Sequence, residues 1–132
     1  MRVVETVGLG FYFEDLPVGR RFKTIGRSVT EADIKQRLAP AALVYAFAEG
    51  LLVQATMQHT GFAFLHMELN VENPVFAGDT IHAECEIVEA RRSKSRRERG
   101  LVRTRVQVVK QDGTVALTYT PLRMVRCRAE AG

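Results

Sequence analysis

Glu49 is the one acidic residue in an otherwise apolar stretch between Ala41 and His59, where Gln54 and Gln58 are the main polar exceptions. A carboxylate in that setting could act as a nucleophile or as a general base. The more ordinary interpretation is that Glu49 lies at a groove or a subunit boundary and is solvated, and we favour it.

The histidines offer weaker candidates for proton transfer. His59 falls in the last turn of the predicted helix, where a cation complements the helix dipole, so we expect a structural role. His66 follows Phe62 and Phe64 on one strand face, and a partly buried histidine is expected there, with a pocket residue as the alternative. The segment GDTIH at 78–82 places Asp79 in a turn that enters a strand and His82 on the surface of that strand.

The basic residues are concentrated in one short run, RRSKSRRERG at 91–100. Such a run is usually the solvated end of a hairpin, and a phosphate contact is the functional alternative. No aromatic residues interleave with it to stack on bases, so we expect no nucleic-acid partner. The histidines and cysteines have neither close spacing nor acidic companions, so no metal site is predicted.

The totals indicate a single domain over residues 1–132. With 46% hydrophobic and 26% charged residues, the chain should bury roughly two thirds of its unfolded surface. The start of the chain does not resemble a secretory signal, and its longest apolar run is short for a membrane span of about 20 residues. We therefore expect a cytoplasmic protein with no membrane partner, in which Cys85 and Cys127 are reduced and mostly buried.

The pattern of apolar residues predicts the elements that would position these groups. A modest strand at 19–29 precedes a helix at 41–59 that is apolar nearly all round, so other elements must wrap it. From Phe62 onward the period becomes two, through four extended segments, and Asp112-Gly113 marks a hairpin between the last two. This is an α+β fold in which a curved antiparallel sheet wraps one long central helix, the outline of a hotdog fold. Because one sheet edge would be exposed, we expect a homodimer or a higher homo-oligomer.

One stretch does not read as a continuous element. Thr30, Glu31, Ala32 and Asp33 have the S/T-x-x-acid arrangement of a capped helix start, yet Pro40 follows too soon for a helix of normal length. We interpret residues 33–37 as a seam at which a segment is missing.

The sequence on both sides of the seam resembles the MaoC-like acyl-CoA hydratase and dehydratase family. The resemblance covers most of the chain, and its most telling piece is NPVFAGDTI at 73–81, which is similar to the family's Pro-Val-x-x-Gly-Asp entry into a long strand. It implies a lyase of fatty acid metabolism that adds water reversibly to a 2-enoyl-CoA, with no cofactor besides the coenzyme A of its substrate. It also implies a catalytic Asp and His from a Gly-Asp-x-Asn-Pro-apolar-His segment before the central helix. This chain contains no such segment, so its catalytic residues are unknown.

The same resemblance implies substrate-binding positions. The backbone N–H of Ala41, at the start of the central helix, falls where the family polarises the thioester carbonyl, although a plain Pro-Ala helix start would look the same. Tyr45, one turn later, could line an acyl tunnel or be a core tyrosine. Arg91 and Lys94 are candidates for contacts to the phosphates of coenzyme A.

Two other functions stay open. Some hotdog thioesterases, by resemblance, place a carboxylate on the central helix, and Glu49 would take that role here. A third hypothesis is a non-catalytic hotdog protein that binds acyl groups or partners a catalytic subunit, which requires the coding sequence to run continuously from Asp33 to Ile34.

Overall fold

The computed structural model describes residues 10–30, 37–56 and 61–128. Three parts of the sequence predictions lie outside the described residues: the predicted helix start from Glu31 onward, nearly all of the predicted seam, and His59. Arg37 is the first residue described beyond the seam.

The elements follow one another in the order that the apolar pattern predicts. They are a 3₁₀ turn Phe13–Asp15, strands β1 Arg21–Lys23 and β2 Arg27–Ser28, helix α1 Ala41–Thr56, and strands β3 Gly61–His66, β4 Leu69–Val71, β5 Thr80–Arg92, β6 Arg99–Lys110, β7 Val115–Tyr119 and β8 Leu122–Arg126. Among the described residues no helix is long and apolar enough to cross a membrane.

All strands pair antiparallel in one sheet. Strands β1 and β2 pair with different parts of β5, one after the other along it, and β5 pairs with β6 on its other side. On the other side of β6 lie β7 and β8, and these pair in turn with β4 and β3. The sheet therefore has two edges, a charged one at β1–β2 and one at β3–β4, which we call the β3–β4 edge.

Strict alternation fixes which face of the two long strands meets the helix. In β5 the buried residues are Ile81, Ala83, Cys85 and Ile87, and in β6 they include Val102, Thr104, Val106 and Val108. The residues between them are polar and more exposed. This is the arrangement that the period of two predicted, because successive strand side chains point to opposite faces.

Helix α1 packs one side against that face. Its buried apolar residues are Val44, Ala48, Leu52 and Ala55, at the spacing of one helical stripe. The predicted fold, a curved antiparallel sheet around one long helix, is confirmed, and within one chain the sheet covers one side of that helix. Ala42, Ala46 and Gly50 are exposed and Val53 is 46% exposed, because one sheet can cover only one side of a helix.

The β3–β4 edge departs further from its predicted alternation. The strand is interrupted at Met67 and Glu68, and its apolar residues Phe64, Leu65 and Val71 are 45%, 48% and 60% exposed. His66 is exposed, not partly buried as expected, because it lies on an edge strand with no neighbour on its outer side. The Asp112-Gly113 hairpin is confirmed, with Gly113 at a φ of 86° and Lys110 N donating to Thr114 O at 2.9 Å.

Candidate functional site

A cavity of about 380 Å³ lies where the start of α1 meets the loop between β4 and β5. Its walls are mostly apolar side chains and backbone from three parts of the chain. They are Leu38, Ala39, Pro40, Ala41 and Val44, the loop residues Val71, Glu72, Asn73, Pro74 and Val75, and Leu117 of β7. The Glu72 carboxylate accepts a hydrogen bond from the Thr118 hydroxyl at 2.7 Å.

A short ladder ties the two walls together. Leu38 and Phe76 form an isolated antiparallel bridge, and Ala39 N donates to Val75 O at 2.8 Å. The next turn reverses the chain through Gly78, whose φ of 99° lies in the left-handed region that favours glycine. The loop therefore enters β5 in a fixed position relative to the start of α1.

Asp79 closes this turn, as the sequence predicted. Its carboxylate accepts hydrogen bonds from Phe76 N at 2.9 Å and Gln111 Nε2 at 2.8 Å, and Lys110 Nζ lies 3.0 Å away. Burial alone would raise the pKa of Asp79, but these bonds and the charge of Lys110 together lower it. Asp79 is thus ionised and committed to the turn.

The first turn of α1 supplies donors at the cavity wall. Leu43 N and Val44 N donate to the Pro40 carbonyl at 3.0 and 3.2 Å, which makes Ala41 the first helical residue. The N–H groups of Ala41 and Ala42, the first two of the helix, have no carbonyl partner inside it and lie at the positive end of its dipole. Ala41 lines the cavity.

Glu49 lies two turns further along the same side of the helix, about 12 Å from Ala41 at 1.5 Å per residue. Its carboxylate accepts a hydrogen bond from the Tyr119 hydroxyl at 2.8 Å and forms an ion pair with the Arg123 guanidinium. The side chains are 17% exposed for Glu49 and 7% for Arg123. We call these three residues the Glu49 network.

The surroundings keep the Tyr119 hydroxyl of this network protonated. Burial, and then the Glu49 carboxylate, raise the pKa of Tyr119, so its hydroxyl stays protonated and donates. Tyr45 packs edge-on against Tyr119 with ring centroids 5.1 Å apart, and burial raises its pKa as well. Arg123 also lies 5.0 Å from the Phe64 ring centroid. Both carboxylate oxygens of Glu49 thus have a partner within the chain, one the Tyr119 hydroxyl and the other the Arg123 guanidinium.

Tyr119 and Arg123 were not predicted as site residues from the sequence. A usable signal was present, because Arg123 stands at an inward position of a strand whose neighbours alternate, and an inward arginine needs an acid. Glu49 was the isolated acid on the helix. What the sequence could not show is that β8 is in register to bring them together.

The sheet register places the other predicted contacts far from this cavity. At the cavity end of the sheet, neighbouring strands pair residue to residue through Val71, Leu117, Val108 and Ala83. At the opposite end they pair through Gly61, Val125, Gly100 and Arg92. Ala83 and Arg92 are nine residues apart in β5, roughly 30 Å at about 3.3 Å per residue. Within one chain, Arg91 and Lys94 are therefore not brought to Ala41.

The remaining candidates have structural partners or lie apart from the cavity. Arg91 is exposed and paired with Glu89 at 3.4 Å, and Lys94 is exposed in the β5–β6 turn. His82 lies 3.0 Å from Glu84 on the outer face of β5. Cys85 and Cys127 are buried, and burial raises the pKa of both thiols, which keeps them protonated.

Comparison with known proteins gives a result at the level of structure. No protein-family model and no curated protein sequence matches the chain. A MaoC-like dehydratase from Rhodospirillum rubrum superimposes with a TM-score of 0.80 at 25% identity, covering 91% of this chain and 99% of that chain. R-hydratases are also among the structural neighbours.

Two more distant neighbours share the fold. A conserved protein of Mycobacterium tuberculosis, described as having a double hotdog fold, matches with a TM-score of 0.78 at 20% identity over 93% of this chain and 46% of that one. A hypothetical thioesterase from Streptococcus pneumoniae, solved with coenzyme A, matches with a TM-score of 0.61 at 13% identity over 88% and 86%. The chain is thus a hotdog-fold protein, and the resemblance to MaoC-like proteins that its sequence indicated is confirmed.

Proposed function

We propose that this chain is the scaffold of an acyl-CoA hydratase or dehydratase, which adds water reversibly to a 2-enoyl-CoA. The observation that carries the proposal is the cavity at the start of α1, where apolar walls adjoin the Ala41 N–H. The neighbouring MaoC-like dehydratase and R-hydratases support the same reaction class. A cytoplasmic location and a role in fatty acid metabolism belong to this proposal.

In this proposal the thioester carbonyl accepts a hydrogen bond from the Ala41 N–H. Addition of water to the C2–C3 double bond places negative charge on that oxygen, so a donor already in position stabilises the charge as it develops. The apolar walls formed by Leu38, Val44 and Leu117 exclude bulk water and hold the acyl group. The acid and base of the reaction are assigned to no residue of this sequence.

Hydration of a short 2-enoyl-CoA by protein expressed from the intact gene tests the reaction. Loss of the enoyl absorbance is expected if an Asp/His segment is encoded at the seam. Intact mass, or sequencing across the join between Asp33 and Ile34, shows whether it is. Absence of turnover by a protein that has the segment would contradict the proposal.

A continuous coding sequence across that join favours the non-catalytic alternative, an acyl-binding or partner hotdog subunit. That form predicts binding without turnover. S-acetonyl-CoA is a suitable probe, because it keeps a carbonyl but is a thioether that cannot be hydrolysed. The Ala41→Phe variant should lose probe binding while the matched Ala42→Phe variant, on the exposed side of the helix, should keep it.

A thioesterase that uses Glu49 is the second candidate activity, supported by the neighbour solved with coenzyme A and by the fixed position of the carboxylate. Against it, the contacts to Tyr119 and Arg123 occupy both carboxylate oxygens, so one of them would have to be released before Glu49 could act as a base or nucleophile. Butyryl-CoA hydrolysis is compared among the parent, Glu49→Gln and Glu49→Gln/Arg123→Gln. The double variant is the control for the single one, because it leaves no buried charge unpaired. Unchanged hydrolysis in both variants excludes Glu49 from the role.

We further propose a homodimer that forms through the β3–β4 edge. Its exposed Phe64, Leu65 and Val71 are the kind of surface that an unpaired edge leaves for a twin, whereas the β1–β2 edge carries Arg21, Lys23 and Arg27. The neighbour with two hotdog units in one chain supports a paired arrangement. Leu65→Glu should convert a dimer to a monomer in analytical ultracentrifugation, and a parent that sediments as a monomer would contradict the proposal.

A further inference from the structure

Residues 89–99, at the end of the β5–β6 hairpin, account for the whole net charge of the chain. They hold six arginines and lysines against two glutamates, an excess of four that equals the formal net charge of +4 of all 132 residues. The remainder of the sequence is therefore formally neutral. Because the excess is confined to one end of the sheet, its charges add to a strong local positive potential.

Three of these cations face solvent in the turn between β5 and β6. Lys94, Arg96 and Arg97 are all exposed, and none of them forms an ion pair with another residue in the described part of the chain. We call these three residues the basic tip. The neighbouring Arg91 and Arg92 differ, since Arg91 pairs with a glutamate at 3.4 Å and Arg92 with another at 2.7 Å. The excess charge is therefore available to an outside anion at the basic tip.

Hydrogen bonds hold the backbone of this turn in place. Ser93 N donates to Arg99 O at 2.9 Å, and Arg99 N donates to Arg96 O at 3.1 Å. Arg96 N donates to the Ser93 hydroxyl at 3.2 Å. At the base of the turn the Phe13 ring lies against Gly100, so closely that a Cβ there would be 2.0 Å from a ring carbon. The basic tip is thus carried on a closed and anchored turn.

The sheet face beside the basic tip does not extend its positive surface. Arg105 and Arg21 both pair with Glu86, at 3.0 and 3.2 Å, and Arg103 pairs with Glu89 at 3.6 Å. A nucleic-acid strand binds along a groove whose cations follow its backbone, and no such track leads away from the tip over the described strands. A bilayer with anionic lipids instead presents a continuous negative surface, which a single exposed cluster of cations can contact.

We infer that the basic tip docks this chain on the anionic headgroups of a lipid bilayer, reversibly and through charge alone. The segment RRSKSRRERG at 91–100 has no apolar side chain that could insert among the acyl chains. The chain would therefore lie on the surface of the bilayer without spanning it. The sequence-based expectation of no membrane partner came from the lack of a span, and this inference replaces it. It does not depend on the proposed function.

Co-sedimentation with vesicles tests the inference. The parent should bind vesicles of phosphatidylglycerol and phosphatidylcholine, should not bind vesicles of phosphatidylcholine alone, and should dissociate as salt is raised. The variant Lys94→Gln/Arg96→Gln/Arg97→Gln should bind the anionic vesicles roughly a hundredfold more weakly, since each basic residue near such a surface contributes a factor of about five. The matched control, Arg21→Gln/Arg103→Gln/Arg105→Gln, has the same formal charge as the tip variant and should bind nearly as the parent does.

Three outcomes would overturn the inference. A parent that binds anionic and neutral vesicles alike has no charge-dependent contact. Equal binding by the two triple variants would mean that net charge, and not the basic tip, attracts the vesicles. A single-stranded RNA oligonucleotide that binds the parent more tightly than anionic vesicles do, at the same concentration of phosphate groups, would make nucleic acid the partner.

Discussion

The first turn of helix α1 and the turn that carries Glu49 differ in how far their polar groups are already bonded within the chain. At its first turn the Ala41 N–H has no partner inside the helix and adjoins a cavity of about 380 Å³. Two turns later the Glu49 carboxylate is bound by Tyr119 and Arg123. The first region is open to a ligand, and the second is saturated by the chain itself. A conspicuous acid on a helix is thus not by itself a reactive one.

The largest effect should come from breaking the Glu49 network. Arg123→Met leaves Glu49 as an unpaired and mostly buried charge, so we expect the free energy of unfolding in urea to fall by about 3 kcal/mol. The control Arg105→Met removes an arginine that is 50% exposed in its pair with Glu86 and should cost less than about 0.5 kcal/mol.

A double variant separates a lost pair from a lost side chain. Glu49→Gln/Arg123→Met should recover much of the stability lost in Arg123→Met, because no charge is then left uncompensated. If Arg123→Met alone costs no more than the control, the network does not hold the helix to the sheet and the comparison fails.

A smaller effect on stability, but a large one on binding, is expected at the other end of the helix. Ala41→Phe keeps the backbone N–H and fills the cavity, so S-acetonyl-CoA binding should weaken at least about tenfold while the melting temperature changes little. Arg123→Met should show the reverse, with lost stability and, in the folded fraction, little change in affinity. Equal loss of affinity in both variants would mean that the two regions are one site.

The smallest effect is expected at the turn behind the cavity. Asp79 has a pKa below its ordinary value of about 3.9, so its contribution is present above that value and is lost as the pH falls through its folded pKa. Asp79→Asn should lower the stability by about 1 kcal/mol at neutral pH, and the difference from the parent should vanish in acid.

The matched control for that change is Asp112→Asn in the β6–β7 hairpin, away from the cavity. Both substitutions remove one turn carboxylate, but only Asp79 anchors the loop that lines the cavity. Asp79→Asn should therefore also weaken S-acetonyl-CoA binding, and Asp112→Asn should not. A pH-independent difference between parent and Asp79→Asn would show that the ionised carboxylate is not what holds the turn.

Local patterns were sufficient to predict much of the fold. The helix start at Ala41, the alternation in β5 and β6 and the Asp112-Gly113 hairpin depend on neighbours within a few residues, so the sequence indicates them directly. The open side of α1 and the exposure of His66 were not predicted, because both depend on what one sheet can cover.

The candidate site was harder to predict, since it depends on contacts between distant segments. Ala41 could be placed from its position at a helix start. The pairing of Glu49 with Arg123 joins residues 74 positions apart and requires the register of β8. Arg91 and Lys94 are far from the cavity because β5 is long. The period of two predicts this strand, but it does not say how far the end of the strand lies from the start of the helix.

The central claim is that the Ala41 N–H binds a thioester carbonyl in the cavity, and one comparison tests it most directly. Ala41→Pro removes this N–H at the first helical position, where proline is well tolerated, and Ala42→Pro removes the next one on the exposed side. Calorimetric titration with S-acetonyl-CoA should show roughly three- to tenfold weaker binding for Ala41→Pro and the parent's affinity for Ala42→Pro. Equal affinities for all three proteins would contradict the claim.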